Sequence, residues 1–465
     1  MSAAAPGYAG ALIDETEEDG ARRRHFAARV DRLVARIDEA LAAQVDAIVH
    51  APAFQAMEAR WRGVSALLQS AGGASDVVVR LLDVDWRTLS RDMERAADFD
   101  RSTLFRLTHD EEFGMAGGQP FGLLIGDYAV SHRTDGQRGD QVEVLRRLAS
   151  VSAAAFCPLI LAAAPDCFGV ERHDALSGLS DLGTARLTFD RQRWEALREQ
   201  EDMRFIGLVA PRVLMRALHA KGERRRADGF VYGEPAGAPL WGNGAFAFAA
   251  VVVTAFRESG WFAEIRGARQ DAAGGGVVDV LRPHDFGTDR HGHSELPPLE
   301  VRLTSSQEQQ MADAGIVPLS SLHLFAKPVF NTNPSLHRPA TYDNPAAEQN
   351  ARLAAMLQYV LCASRFAHYL RVIMRDEIGS VADEAMLERK LDSWLSNYCL
   401  GNEDADLELR ARYPLRSAGV SVRPLPGRPG VYACTLHLQP HFQLDHVSTS
   451  FQLVAKAAEP VRKAG

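Results

Sequence analysis

The chain has 465 residues, of which 46% are hydrophobic and 24% charged, with a net charge of −8. At roughly 100–200 residues per domain this is two or three domains of ordinary globular composition, with ample apolar material for a core. The mild acidity and the lack of a long basic tract argue against nucleic acid as a partner, and five scattered cysteines without a Cys-x-x-Cys pair argue against a disulfide framework and for a reducing cytoplasm.

Residues 1–20 are small, polar and acidic, without the charged and apolar regions of a signal peptide, and are expected to be flexible. Over 22–50 the residues Phe26, Val30, Leu33, Ile37, Leu41, Val45 and Ile48 recur at spacings of three and four, which predicts a helix. Its apolar stripe is narrow, with Arg and Asp opposite, so it docks on a surface or on a partner helix, or packs on its own domain. Pro52 ends it, and "AFQAMEARWRGVSALLQSA" is a second helix closed by Gly72 and Gly73. Then come a strand in "DVVVRLLDV", a helix in "DWRTLSRDMERAADF" with Asp85 as N-cap, a buried strand in "PFGLLIGDYAV", a helix in "DQVEVLRRLASVSAAAF" and a strand in "CPLILAAAP". The stretch around this last strand is the most apolar of the chain. Pro158 and Pro165 interrupt it, and it is shorter than a membrane span requires. Alternating helices and apolar strands predict an α/β or α+β fold, a mixed sheet covered by helices.

The middle of the chain is less regular. A helix in "AFAFAAVVVTAFRESGW" precedes a Gly-, His- and Pro-rich stretch over 267–300, expected as outer loops. A long helix begins at Asn344-Pro345 and runs to the "DEIG" after Arg375; being apolar nearly all round, it is central. A helix in "EAMLERKLDSWLSNYCL" leads to a terminal β-hairpin, "GVYACTLHLQPHFQLDHVSTSFQLVAK". Tyr432, Cys434, Leu436 and Leu438 share one face of its first strand, and Val447, Thr449, Phe451 and Leu453 share one face of the second. A hairpin alone is marginal in water, and its outer strands offer unpaired main-chain groups. The Pro-rich "RPLPGRPG" before it reads as a joint on which the hairpin swings.

Few residues are arranged for chemistry. None of the five lysines follows a glycine, so no phosphate loop of the Walker type is present, and neither H-E-x-x-H nor G-x-S-x-G occurs. "GNGAFA" (242–247) has the spacing of a dinucleotide turn but follows no strand, and reads as a tight helix entry. His284, His291 and His293, with Asp285, Asp289 and Glu295, are zinc-type ligands at a spacing that suits no rigid element, and read as a solvated loop. His368, on the apolar central helix, reads as a hydrogen-bonded core histidine.

Several long stretches, in order, carry a family pattern: "FQAMEARWRG", "DFDRSTLFRLTHDEEFGMAGGQPFGLLIGDYAVSH", "LWGNGAFAFA", "GWFAEIRG", "NARLAAMLQYVLCASRFAHYLRVIMRDEIGS", "ARYPLRSAGVSVRPLPGRPGVY" and "LQPHFQLDHVSTSFQLVA". This pattern resembles the large sheath subunit of bacterial type VI secretion systems, the TssC (VipB) family, from about residue 25 to 456. The loop "GARQDAAGGGVVDVL" is longer than the family's glycine-rich turn, and 301–340 matches more loosely. The resemblance implies a body of phage-tail-sheath type that pairs with the small sheath subunit TssB (VipA) and with copies of itself. Together they would form a contractile tube around an inner tube of Hcp, carried on a baseplate. The ClpV ATPase would dismantle the contracted sheath, mainly through the small subunit. It implies no cofactor, metal or catalytic residue, no nucleic acid and no membrane insertion.

With it go a flexible arm and amphipathic helix over 1–53, a main domain over 54–375 and a C-terminal domain over 376–465. A polymer whose subunits slide while connected is served by arms that add strands to neighbours. This makes Leu33, Ile37 and Leu41 of the arm, with Tyr432, Cys434, Leu436, Leu438, Val447, Thr449, Phe451 and Leu453 of the hairpin, the expected partner-binding residues. The alternatives are a related phage-like contractile particle and, from another class, a metal-dependent enzyme using the loop 284–293.

Overall fold

The computed structural model describes residues 8–115, 117–134, 139–182, 189–216, 218–219, 230–234, 239–269, 274–281, 296–322, 326–377, 384–402, 405–424, 432–441 and 451–456. The His-rich loop 284–293, together with Val447 and Thr449, lies outside them. The chain divides into two units, Met1–Ala59 with Arg216–Leu240, and Arg60–Met215 with Trp241–Gly465.

In the first unit α1 (Tyr8–Val49) starts well before the expected residue 22 and takes in part of the stretch expected to be flexible. The acidic run lies one turn ahead of the basic one, the order that favours i,i+4 pairs, and Arg23 does lie 4.0 Å from Asp19. A buried charge network closes this unit. The Glu234 carboxylate accepts from Arg216 Nη1 at 2.7 Å and from the His219 amide at 2.9 Å, and His50 Nε2 lies 3.0 Å away. Arg216 Nε reaches Glu58 at 2.9 Å, and the Tyr232 hydroxyl donates to Asp46. Burial works against the Glu234 charge, but the Arg216 and His219 hydrogen bonds outweigh it and hold the carboxyl at about 2.

α2 (Pro52–Ala71) is closed by Gly72 and Gly73, both at positive φ. After it, "DVVVRLLDV" forms no strand: residues 77–85 join no ladder among the described residues. α3 (Trp86–Arg95) begins on Asp85, whose carboxylate accepts the Thr88 amide at 2.8 Å. A helical stretch follows, α4 (Thr103–Phe105), a π-helical turn Arg106–Asp110 and α5 (Glu111–Phe113).

The second unit is built on a four-stranded parallel sheet. β1 (Leu124–Val130), β2 (Leu159–Ala163) and β3 (Ile206–Ala210) lie side by side in chain order. Between them run α6 (Gln141–Ala154) and α7 (Phe189–Arg198), the crossovers that parallel strands require. β4 (Val213–Arg216), β5 (Leu240–Gly242), α8 (Ala245–Ser259) and α9 (Ser305–Asp313) precede β6 (Ile316–Pro318), the strand beyond β3.

Alternation sorts the strand residues onto two faces. Leu159, Leu161, Leu208 and Ala210 enter a core with Leu89, Val144, Trp194 and Met311 from α3, α6, α7 and α9. Ile160, Val209 and Val317 enter another with Phe248 and Val251 of α8. Gly244 lets α8 approach: a Cβ there would come 2.8 Å from Val209 Cγ1 and 2.9 Å from the Pro211 carbonyl. Asn243 accepts the Ala245 amide at 2.8 Å and donates to the Gly126 carbonyl at 3.2 Å. The G-x-G stretch is thus a packed helix entry.

Beyond the short ribbon of β7 (Ser320–Ser321) and β8 (Pro328–Val329), the long helix expected from Asn344 is two helices. α10 (Pro345–Ala354) is capped by Asn344, and α11 (Leu357–Glu377) follows after a break at 355–356. The break is held by main-chain bonds: the Ser335 amide donates to Ala355 O at 3.0 Å, and the Leu357 amide to Asn333 O at 2.8 Å. Leu357 and Leu361 fill the α8 side of the parallel sheet, while Phe366, Leu370 and Met374 enter a third core. There they meet Leu387, Leu391 and Leu395 of α12 (Glu384–Ser396) and the final sheet, which follows α13 (Leu407–Arg412). Trp261 stacks on Phe366 with ring centroids 4.2 Å apart.

That final sheet has three antiparallel strands, not two: β9 (Leu415–Pro424), β10 (Tyr432–Pro440) and β11 (Phe451–Lys456), with β10 in the middle. Arg423 and Pro424 of the expected swinging joint belong to β9, opposite Ala433 and Tyr432. They are fixed by a ladder; residues 425–431 lie outside the described ones.

Candidate assembly surface

Leu33, Ile37 and Leu41 share one stripe of α1 and are 51, 58 and 44% exposed. Phe26, Val30 and Ile48 extend the stripe in both directions, also in water. Of the twenty large hydrophobic side chains exposed among the described residues, eight lie in the first unit, between Phe26 and Met57, and five lie in the second, between Trp61 and Leu82. Apolar surface so concentrated marks an interaction site more than the scattered exposure every protein carries. The sequence reading missed Trp61 and Leu68 of α2 and Val78, Leu81 and Leu82 after it. The first two continue the three-and-four spacing one helix further, a signal that was present in the sequence. The last three were read as a strand, and strands are expected to be covered.

The hairpin residues are placed differently. Cys434, Leu436 and Leu438 point into the third core and are fully buried, Tyr432 is half-buried, and Phe451 and Leu453 are the β11 positions opposite Leu438 and Leu436. What this sheet can offer a neighbour is therefore its main-chain edge and not its apolar face. The two edges differ. On β9 the Val422 amide donates to Glu388 of α12 at 2.9 Å, so that margin is engaged at this point from within the chain. β11 has a ladder on one side only among the described residues.

Several charged side chains of the second unit are paired. Glu300 is buried and held by two bonds of 2.7 Å from Arg212, with His173 at 3.4 Å; against the burial that raises it, these bring its carboxyl to about 2. Burial raises the thiols of Cys157, Cys167, Cys362 and Cys434, the behaviour of inert core cysteines. Among the described residues no group of three or more His, Cys, Asp or Glu is placed to hold a metal ion, and no helix is long and apolar enough to cross a membrane.

Comparison with known proteins identifies the family. A family model described as "EvpB/VC_A0108, tail sheath N-terminal domain" matches residues 31–337, and one for the "tail sheath gpW/gp25-like domain" matches 346–457. These two spans define a tail-sheath protein. The Type VI secretion system sheath protein TssC1 of Pseudomonas aeruginosa is 34% identical over 435 residues, covering 92% of this chain and 85% of that one. The chain belongs to the TssC (VipB) family of type VI secretion sheath proteins, as the sequence resemblance implied.

Proposed function

We propose that this large sheath subunit pairs with a small sheath subunit of the TssB (VipA) type. The pairs polymerise with their neighbours into a helical tube in the bacterial cytoplasm, around an inner tube of Hcp. The tube grows from a baseplate and contracts to drive the inner tube outward. ClpV then acts on the contracted form, mainly through the small subunit. The observation that carries this reading is the row of exposed apolar residues on α1, with Leu33, Ile37 and Leu41 at its centre, on a chain of sheath descent. Heterologous contacts that do not close give helical tubes. A difference of a few kcal/mol between two packings, multiplied over many copies, supplies the work without a bound nucleotide or a catalytic residue.

Connection between neighbours is assigned to the open margin of β11, where an arm adds as a further strand. The division into an arm (1–53), a main domain (54–375) and a C-terminal domain (376–465) belongs to the same proposal.

Co-expression with a small sheath subunit of the TssB (VipA) type, followed by negative-stain microscopy, tests the reading. Co-purification and tubes with cogwheel cross-sections are expected; two proteins that do not co-purify overturn it. The role of β11 is tested by removing 451–456 alone, since β10 carries core residues whose loss would unfold the sheet. Retained pairing with loss of tubes is expected, and tubes of normal length contradict the role.

A further inference from the structure

Two residues, His50 and Ala51, separate the end of α1 at Val49 from the start of α2 at Pro52. Among the described residues nothing apolar fixes that corner. None of 19–59 is buried, and none enters any of the three cores. The side chains that are buried beside it are charged: Glu234 is 1% exposed, Arg216 6% and Glu58 15%. They belong to a clasp that grips both sides of the corner. On the α1 side Asp46 accepts the Tyr232 hydroxyl, and His50 Nε2 lies 3.0 Å from Glu234. On the α2 side Glu58 lies 2.9 Å from Arg216 Nε. The gripping residues brace one another. Arg216 Nη1 donates to Glu234 at 2.7 Å, the Glu234 amide donates to the His219 carbonyl at 2.7 Å, and the His219 and Tyr232 rings lie 5.9 Å apart. Tyr232 and Asp46 stand 186 positions apart, so the grip is not a product of local helix geometry.

We infer that Arg216, Tyr232 and Glu234 form a polar latch on the α1–α2 corner, and that α1 turns as an intact helix about His50–Ala51 when the latch opens. Apolar burial is non-directional and tolerates sliding. Hydrogen bonds to charged groups are short and geometric, so they hold one arrangement and are lost once the partners separate. A corner fixed in this way keeps α1 at one angle while closed. Opening it exposes no apolar core to water, and the change falls on two residues between elements, where hinges are found. The latch thereby aims the apolar stripe of Leu33, Ile37 and Leu41, and its members are positioning residues for that stripe. In a tube whose subunits move while joined, such an arm follows its neighbour while every core stays closed. That use rests on the sheath reading above, whereas the latch itself does not.

Spin labels on the purified full-length chain test it. They are placed at Glu39→Cys on α1 and Ala56→Cys on α2, both exposed positions, with Cys399→Ser; the other four cysteines are buried. Distances are read by pulsed electron spin resonance. With the latch intact, one narrow distribution is expected. Tyr232→Phe with His50→Gln removes both links to α1 and leaves Arg216 its two carboxylates. Loss of the narrow distribution is expected, with the far-ultraviolet spectrum and the main melting midpoint unchanged. A narrow distribution that survives the double substitution overturns the inference, as does a broad one in the otherwise unsubstituted chain. Loss of helix or a lowered main midpoint also overturns it, since these residues would then belong to a core. No arm of the experiment contains a small subunit, so failure of that pairing sinks the sheath reading and leaves the latch standing.

Discussion

His368 carries an unusual burden for one side chain. It is buried on α11, and its Nε2–H donates to the Ala155 carbonyl at 3.0 Å. Desolvation above all pushes its pKa down to about 4. The folded state then binds fewer protons than the unfolded one, so stability from His368 is complete above its ordinary value near 6.5 and is lost as pH falls towards 4. The amount is about 3 kcal/mol. Glu234 has the same sign in a lower window, lost from 4.5 towards 2. Denaturation midpoints should hold above about pH 6.5 and fall from there towards about 4.5, and His368→Leu should flatten that slope while Glu234 and Glu300 still act in the region below. The histidine was legible as a core residue because its neighbours are apolar. The Glu234–Arg216 pairing was not, since the partners stand 18 positions apart in irregular sequence and only the fold brings them together.

At the scale of elements, α1 is the one whose sequence and structure agree most closely and still leave a question open. The spacing of Leu33, Ile37 and Leu41 gives the helix and the stripe, and the stripe faces water. Ile37→Asp with Leu33→Asp should therefore change the stability of the chain by less than about 0.5 kcal/mol, the usual range for surface sites, while abolishing capture of the small subunit; circular dichroism and pull-down measure the two effects. A large loss of helix would instead mean that the stripe packs at home. The two elements misread from sequence fail for physical reasons. The helix from Asn344 breaks because main-chain bonds to 333–335 compete for the groups of 355–357, and local periodicity has no term for that. The segment 77–85 has strand chemistry but joins no ladder among the described residues, and propensity says what a segment suits, not what stands beside it.

Across the whole molecule, three cores are joined by shared pieces, and α11 serves two of them: Leu357 and Leu361 pack under the parallel sheet, and Phe366 under the antiparallel one. Phe366 is fully buried between Trp261, Trp394 and Tyr398. Phe366→Ala should cost about 3–5 kcal/mol, and two separate melting transitions should replace one if α11 is what couples the two sheets; calorimetry reads both.

The body was legible in the sequence where a short continuous apolar run, as in Leu159–Ala163, matches a strand buried on both faces; over Ile206–Ala210 the same kind of run suits a strand or a helix start, and the structure makes it a strand. The assembly surface was legible only where it is helical. Cys434, Leu436 and Leu438 look identical in sequence whether their apolar face meets a neighbour or the chain's own α12, and here it meets α12.

The bond from the Val422 amide to Glu388 carries a consequence for anything built from many copies. If neighbours join through that sheet as proposed, a margin engaged by the chain's own helix leaves the other as the port, and each recruit would arrive at the same side. A file of such copies would have a head and a tail, and growth by that route would be vectorial.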